Sequence, residues 1–529
     1  MTALAGTGPL VRLCLRRDRL KLLIYVLVVG AIPIGMAAAY KVLYPTAAGL
    51  QAFADLSMST PATVGMLGLI YAPTVGALTA WRAGLNGMFF IAPVSILLIV
   101  RYTRAEEAVG RRELLGGSVV GRQAPLTAAL IVVCAVDLLL GVFIAAGLIS
   151  LGLSAAGAVV MGLSAAAAGW VFAALAAVTA QLTVSPGPAR GMALVMFALS
   201  WLVRAVGDLG RAQGLAWLSW LSPLGWVRLT RAFADEQWWV FVLFVALGAA
   251  LAAMAYALSA RRDLAAGILP VPVGPAEAAP ALNSPRALAW RLHRGGLLGW
   301  SVAAAGFGLL LGIVGVSMAG FVDAPQMQAW AQRMGAHDAG DAFLFLTMFV
   351  LGQVISVYAI LAALRLRSEE VEGRAEAVLA TAVSRLRWAL SHVTIAALGP
   401  AVLLIVLGLT IGLGYGLTAH NLVQDSPRLL HRTLLTLPAI WVVAGIAVAL
   451  YGWLPRRAAA LTWAAFAVFL ALELGWELQQ VSQSLFNISP FAHVHWSIQV
   501  TAAPLLGLTA LAAVLAAIGL LGLQRRDVG

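Results

Sequence analysis

A chain of 529 residues that is 62% hydrophobic and only 11% charged is not an ordinary soluble protein, because soluble domains run nearer to about 45–50% apolar and about 25% charged. Apolar runs of about 20 residues recur throughout, as a bilayer roughly 30 Å thick requires of helices, and the alternating ten-residue segments of a membrane barrel are absent. The net charge of +12 comes from arginines beside those runs, which points to membrane topology and away from nucleic acid.

The first apolar stretch, Leu22 to Tyr40, follows Arg12, Arg16, Arg17, Arg19 and Lys21. It is longer than the core of a secretory signal and reads as a span. Spans are expected at about 20–41, 83–103, 124–150, 155–182, 190–207 and 238–260. The segment from Pro61 to Ala80 is apolar but broken by Gly65, Gly68, Pro73 and Gly76, so it reads as an external or re-entrant element. A proline-rich stretch at 264–289 reads as an extended cytoplasmic linker between a first half, 1–263, and a second half, 290–529. The second half repeats the pattern at about 296–319, 342–364, 388–416, 433–454, 458–475 and 499–522. The expected fold is therefore an all-α polytopic membrane protein of about 12 transmembrane helices, built as two parallel six-helix repeats. With both termini inside, 25 of the 34 basic residues fall on the inner side, in keeping with the positive-inside rule.

The repeat is clearest in a charged segment after the second span of each half. Glu106, Glu107, Gly110, Arg111 and Glu113 recur as Glu369, Glu370, Gly373, Arg374 and Glu376, each 263 residues later, and Arg122 recurs as Arg385. Arg261-Arg262-Asp263 closes the first half and Arg525-Arg526-Asp527 the second. Ser222-Pro223 precedes the sixth span as Ser489-Pro490 precedes the twelfth, and Trp170-Val171 is echoed by Trp441-Val442. Thr103 and Glu106 have capping-box spacing, which predicts a short helix starting at Thr103, with Ser368 as the cap in the second copy. Arg111 lies four residues after Glu107, a favourable helical pair. The two glycines suit a turn or a close backbone approach. Two cognate segments of this kind read as short charged helices at the membrane face, where a partner would dock. A phosphate-binding loop needs a lysine, and the only two are Lys21 and Lys41, so no ATP-hydrolysing motif is present.

Taken together, these residues resemble the permease subunits of actinobacterial ABC exporters described as polyketide-antibiotic or multidrug exporters. The likeness rests on the duplicated EExxGRxE segments, on Leu221 to Trp226 followed by Trp238-Trp239, and on Ser489 to His493 with the terminal Arg525-Arg526-Asp527-Val528. It implies the type V exporter fold in a bacterial cytoplasmic membrane, with both termini cytoplasmic and lipid around the spans. It also implies two copies of a separate ABC ATPase carrying ATP and Mg2+, with no cofactor or metal expected in this chain. The EExxGRxE segments would then be coupling helices seated in those ATPases. Ser222, Pro223, Ser489 and Pro490 would belong to an external gate. A small amphiphilic substrate would pass along Asn86, Phe89, Phe90, Met192, Met196, Phe343, Phe345, Met348, Phe466 and Phe469, since methionine adapts and rings offer broad contact. Leu366 in place of Thr103, and Glu372 in place of Val109, depart from equal docking of the two halves.

Other charges read as structural. Asp137 lies inside the third span, and the repeat places Pro400 at the cognate position, so a polar tie is expected over a proton relay. Glu473 and Glu477 read as a solvated span end, and Arg228 and Arg231 among tryptophans as interface anchors. His493 and His495 lack a third metal ligand, and Cys14 and Cys134 suit neither a disulfide nor a metal. The competing function is a proton-coupled secondary transporter, which would need buried acidic pairs. A membrane scaffold for a signalling ATPase is a third class.

Overall fold

The computed structural model describes residues 3–59, 61–108, 110, 120–263, 266–269, 277, 279, 282–322, 339–477, 480–498 and 500–527, with side chains at 61, 62, 314, 316–322, 339–343 and 477 outside that description. Among the described residues every regular element is a helix, and 12 helices are long and apolar enough to cross a bilayer. The chain divides into two units, Met1–Gly274 and Pro275–Gly529. The first holds α1 (Thr7–Leu43), α2 (Val75–Ala108), α3 (Ala124–Ser150), α4 (Ala155–Leu182), α5 (Pro186–Gln213) and α6 (Trp238–Arg261). The second holds α7 (Pro285–Ile313), α8 (Leu344–Val371), α9 (Arg385–Ala419), α10 (Leu422–Trp453), α11 (Ala458–Trp476) and α12 (Ala502–Arg525). Every expected span overlaps one of these helices.

The unit boundary falls inside the expected linker, whose two ends are structured. Pro285 opens α7, where its fixed φ and missing N–H cost nothing in a first turn. At the other end, Ile268 N–H donates to Gln181 O at 3.2 Å and Leu269 N–H to Leu182 O at 2.9 Å, strapping the chain after α6 onto the end of α4. The ambiguous segment contains a helix of seven residues, Pro61–Leu67. At 1.5 Å per residue it reaches about 10 Å, too short to cross. A loop then leads to Thr74, whose hydroxyl caps α2 by accepting from Ala77 N–H at 3.2 Å.

Lipid gives no hydrophobic drive for helix association, so these bundles rely on close backbone packing and interhelical hydrogen bonds. In the first unit α4 is central and rich in alanine. At the crossing of α3 and α4, a Cβ on Gly141 would lie 2.4 Å from Gly162 O, and one on Gly162 would lie 2.1 Å from Gly141 O. No larger residue fits either position. Trp170 Nε1 donates to Cys134 O at 3.0 Å, and in the second unit Trp441 Nε1 donates to Ala397 O at 2.8 Å. The two acceptors are also 263 residues apart, so the tryptophan echo in the sequence marks one tie, repeated in each half, between its third and fourth spans.

Candidate functional site

The charged segment of the first unit is a continuation of α2. A π-helical turn at Arg101–Ala105 leads without a break into Glu106–Ala108. Thr103 therefore caps nothing: its hydroxyl donates back to Ile99 O at 2.6 Å, inside a helix whose N–H groups are already bonded. The expected helix start at Thr103 is wrong because the span simply runs on. Glu107 is buried and grips Arg262 in two bonds, Nη1 to Oε1 at 2.7 Å and Nη2 to Oε2 at 2.8 Å. Arg104 approaches the same carboxylate at 3.1 Å. It also donates to Ala180 O at 3.0 Å and to Ala266 O at 2.9 Å. Arg262 Nε donates to Gln181 Oε1 at 2.7 Å, and Arg122 Nη2 to Ser259 O at 3.1 Å and to Arg262 O at 2.5 Å. One knot of side chains thus joins the end of α2, the start of α3 and the ends of α4 and α6.

The second unit ties the same knot. Glu370 accepts from Arg526 at 2.6 and 2.7 Å, and from the Tyr451 hydroxyl at 2.6 Å. The bonds from Glu370 hold Arg526 above the ordinary arginine range. Arg367, cognate to Arg104, donates to Pro455 O at 2.7 Å just beyond α10. Arg385, cognate to Arg122, donates to Arg526 O at 2.7 Å. The EE segment and the RRD closure, read separately in the sequence, are two sides of one ion pair in each half. Fork-to-fork geometry of this kind needs arginine, because lysine offers a single point charge.

Beyond the knot the chain turns at a glycine in each unit, and in the second unit that turn is exposed. Gly110 and Gly373 have φ of 70° and 71°, a left-handed conformation that disfavours any side chain. Among the described residues a Cβ on either would meet nothing within 4 Å, so within this chain it is the turn that calls for glycine. In the second copy Gly373 ends the α8 extension and starts a helix at Arg374–Leu379. Ser368 is not its cap, since Ser368 Oγ donates to Arg365 O at 2.9 Å. Val371 is 73% exposed at the tip, and Glu372, Arg374, Glu376 and Ala377 are exposed beside it.

The other predicted coupling residues divide clearly. Glu369 is buried and takes bonds from Arg365 at 2.8 Å and from Arg374 at 2.8 and 2.9 Å. These bonds raise Arg374 above its usual range. Glu106 bonds Arg17 of α1 at 2.7 Å. Arg111 and Glu113 lie outside the described residues. Leu366 is fully buried with Ala375, Trp388 and Tyr451, and Thr103 is buried at the cognate position. The departure there exchanges one inward-facing residue for another.

At the far ends of the spans, Ser222 and Ser489 cap short helices as their Ser-Pro spelling suggests. Ser222 Oγ accepts from Gly225 N–H at 3.3 Å ahead of Pro223, and Ser489 Oγ from Phe491 N–H at 3.3 Å across Pro490. Arg228 is no interface anchor: it is buried and bonded to Asp208. Glu473 is not solvated either; it is buried and bonded by Gln353 of α8, while the Glu477 side chain lies outside the described residues. Asp137 accepts from Tyr25 at 3.2 Å and from Ser95 at 3.0 Å, so it joins α1, α2 and α3.

The proposed path residues do not share one environment. Phe90, Met192 and Met196 are exposed, and Asn86 and Phe89 half-buried. Phe89 packs edge-on to Phe197 with centroids 5.8 Å apart. In the second unit Met348 and Phe466 are buried in the packing, Phe345 and Phe469 lie at its margin, and Phe343 is outside the described side chains. Sequence reasoning missed Arg104, Arg367 and Gln181, although the 263-residue offset alone pairs the two arginines. It also missed His293 and His392, whose rings meet at 3.1 Å with no sequence signal.

Two six-span halves, each with an acidic helix extension after its second span fastened by ion pairs to its own span ends, define a duplicated permease of the helical membrane type. Residues 282–524 match the family model described as multidrug efflux system permease Rv1217c, C-terminal domain. The chain is also 38% identical over 529 residues to the multidrug efflux system permease protein Rv1217c of Mycobacterium tuberculosis (strain ATCC 25618 / H37Rv), covering 99% of this chain and 95% of that protein. The chain belongs to this permease family.

Proposed function

We propose that this chain is the membrane subunit of an ATP-driven exporter that moves amphiphilic drugs or lipid-like molecules out of the cell, powered by two copies of a separate ATPase that bind ATP and Mg2+. The observation that carries the reading is the pair of cognate knots. Each fastens the charged segment of its half to the ends of three other spans, so a push on that segment moves those spans together. Membership in a family named for multidrug efflux supports the substrate class. The exposed ridge of Val371, Glu372, Arg374 and Glu376 is the docking face in the second half, and Gly110 marks the same turn in the first. Glu107 and Glu370 act from inside the knots, transmitting motion without touching the partner. In a bacterial cytoplasmic membrane the turns and both termini face the cytoplasm.

Inside-out vesicles test the reading. Drug accumulation should require ATP, together with the co-expressed ATPase, and should persist when the proton gradient is collapsed. Accumulation driven by a proton gradient without ATP would refute it and favour secondary transport.

A further inference from the structure

The end of the first unit opposite its knot holds an excess of buried positive charge. Arg204, about 27 Å along α5 from Pro186 at 1.5 Å per residue, is fully buried. It donates to Asp208 Oδ2 at 3.1 Å, and to Gly65 O at 3.0 Å and Met66 O at 3.1 Å. Asp208 also takes a bond from Arg228, so two buried guanidiniums share one carboxylate, which additionally accepts from Ser219 Oγ at 2.9 Å. Arg228 is only 6% exposed, yet its Nε and Nη1 find no hydrogen-bond partner among the described residues. Arg231 itself has a φ of 50° and Phe233, two residues on, one of 63°. Its guanidinium lies over the Tyr71 ring at 5.0 Å, and that of Arg228 lies 5.9 Å from the same ring.

Arg228 and Arg231 line one partly open cavity with Tyr71, Trp81, Met161 and Ser164. Its volume is about 30 Å³. That is room for a small polar group and far too little for a whole drug. Buried unpaired charge is costly, and a guanidinium with free donors is matched best by an oxyanion.

We propose that this cavity is an oxyanion site, which takes the phosphate or carboxylate head of an amphiphile whose apolar remainder stays outside. Arg228 supplies the two free donors, and Arg231, braced on Tyr71, closes the positive rim. The shared chemistry is a single anionic head group. A phospholipid, an acidic amphiphile or a free anion could each bring it. The site stands on the charge balance of the first unit alone and does not depend on the export reading.

The test uses the full chain, purified in neutral detergent at physiological salt. Binding is measured by calorimetry for inorganic phosphate, for dioctanoyl phosphatidylglycerol against dioctanoyl phosphatidylcholine, and for octanoate against octanol. At least one anionic amphiphile should bind about tenfold or more tighter than its neutral counterpart, or inorganic phosphate about tenfold or more tighter than chloride titrated in the same way. Phosphatidylglycerol alone would assign a lipid head group, octanoate an acidic amphiphile, and phosphate alone a free anion. Arg231→Gln, which removes the rim charge and its contact with the Tyr71 ring, should weaken anion binding several-fold while keeping the wild-type melting temperature. Arg228→Lys should keep the fold and weaken binding several-fold, because an ammonium cannot present the planar Nε and Nη1 fork that matches an oxyanion. The proposal is overturned if no anionic probe is preferred, or if both variants bind as the wild type does.

Discussion

Replacing Glu107 with glutamine keeps the shape of the side chain and removes its charge. The carboxylate takes two bonds from Arg262 at 2.7 and 2.8 Å and lies 3.1 Å from Arg104, with all three side chains nearly inaccessible to water. Breaking one side of such a pair costs about 3–5 kcal/mol, because a buried charge is left uncompensated. Arg262 would keep its bonds to Gln181 Oε1 and Ala266 O, so the lower end, about 3 kcal/mol, applies. For a folding unit of this size that corresponds to a fall in melting temperature of roughly 6–12 °C. The assay is thermostability of the detergent-solubilised chain followed by size-exclusion chromatography. A double-mutant cycle with Arg262→Met should return a coupling energy of about 1–3 kcal/mol. A Glu107→Gln protein melting within about 2 °C of wild type would refute the knot as a stabilising element.

Glu370→Gln should cost less, about 1.5–3 kcal/mol, since its ion pair is more open to solvent and the Tyr451 hydroxyl remains as a donor; the same thermostability assay ranks the two. Gly373→Ala forces a side chain to φ of 71° and should destabilise by about 1–2 kcal/mol. Gly373→Asn should cost noticeably less, and equal melting temperatures for the two would count against the turn. Asp137→Asn preserves an acceptor for Tyr25 and Ser95 and should leave drug efflux within about twofold of wild type at equal abundance. Loss of efflux there would revive the proton-coupled reading.

The spans were legible because apolar runs of bilayer length have few other uses, and all twelve fall where hydropathy puts them. The duplication was legible too, and its parts prove to be bonded: Glu107 to Arg262, Glu370 to Arg526, Trp170 to Cys134 O and Trp441 to Ala397 O. The inward turn of the glutamates was not legible. In a chain this poor in charge, two adjacent acids after a span look like a surface. Whether each faces water depends on a π-turn and on arginines about 155 residues away. Thr103 misled for a related reason, since capping-box spacing also occurs inside a helix that never stops. Arg228 and Glu473 resembled interface residues because burial by a folded-back segment, such as Gly65 and Met66 against Arg204, leaves no periodic trace.

The most direct measurement is affinity purification of the tagged chain from its native membrane, with mass spectrometry of what accompanies it. A Val371→Asp, Glu376→Arg double variant would be compared at matched abundance and melting temperature. Recovery of a P-loop ATPase with the wild type, reduced about tenfold or more in the variant, is the expected result. Absence of any ATPase from both, even after mild crosslinking, would contradict the exporter reading; undiminished recovery with the variant would remove the exposed turn as its docking face.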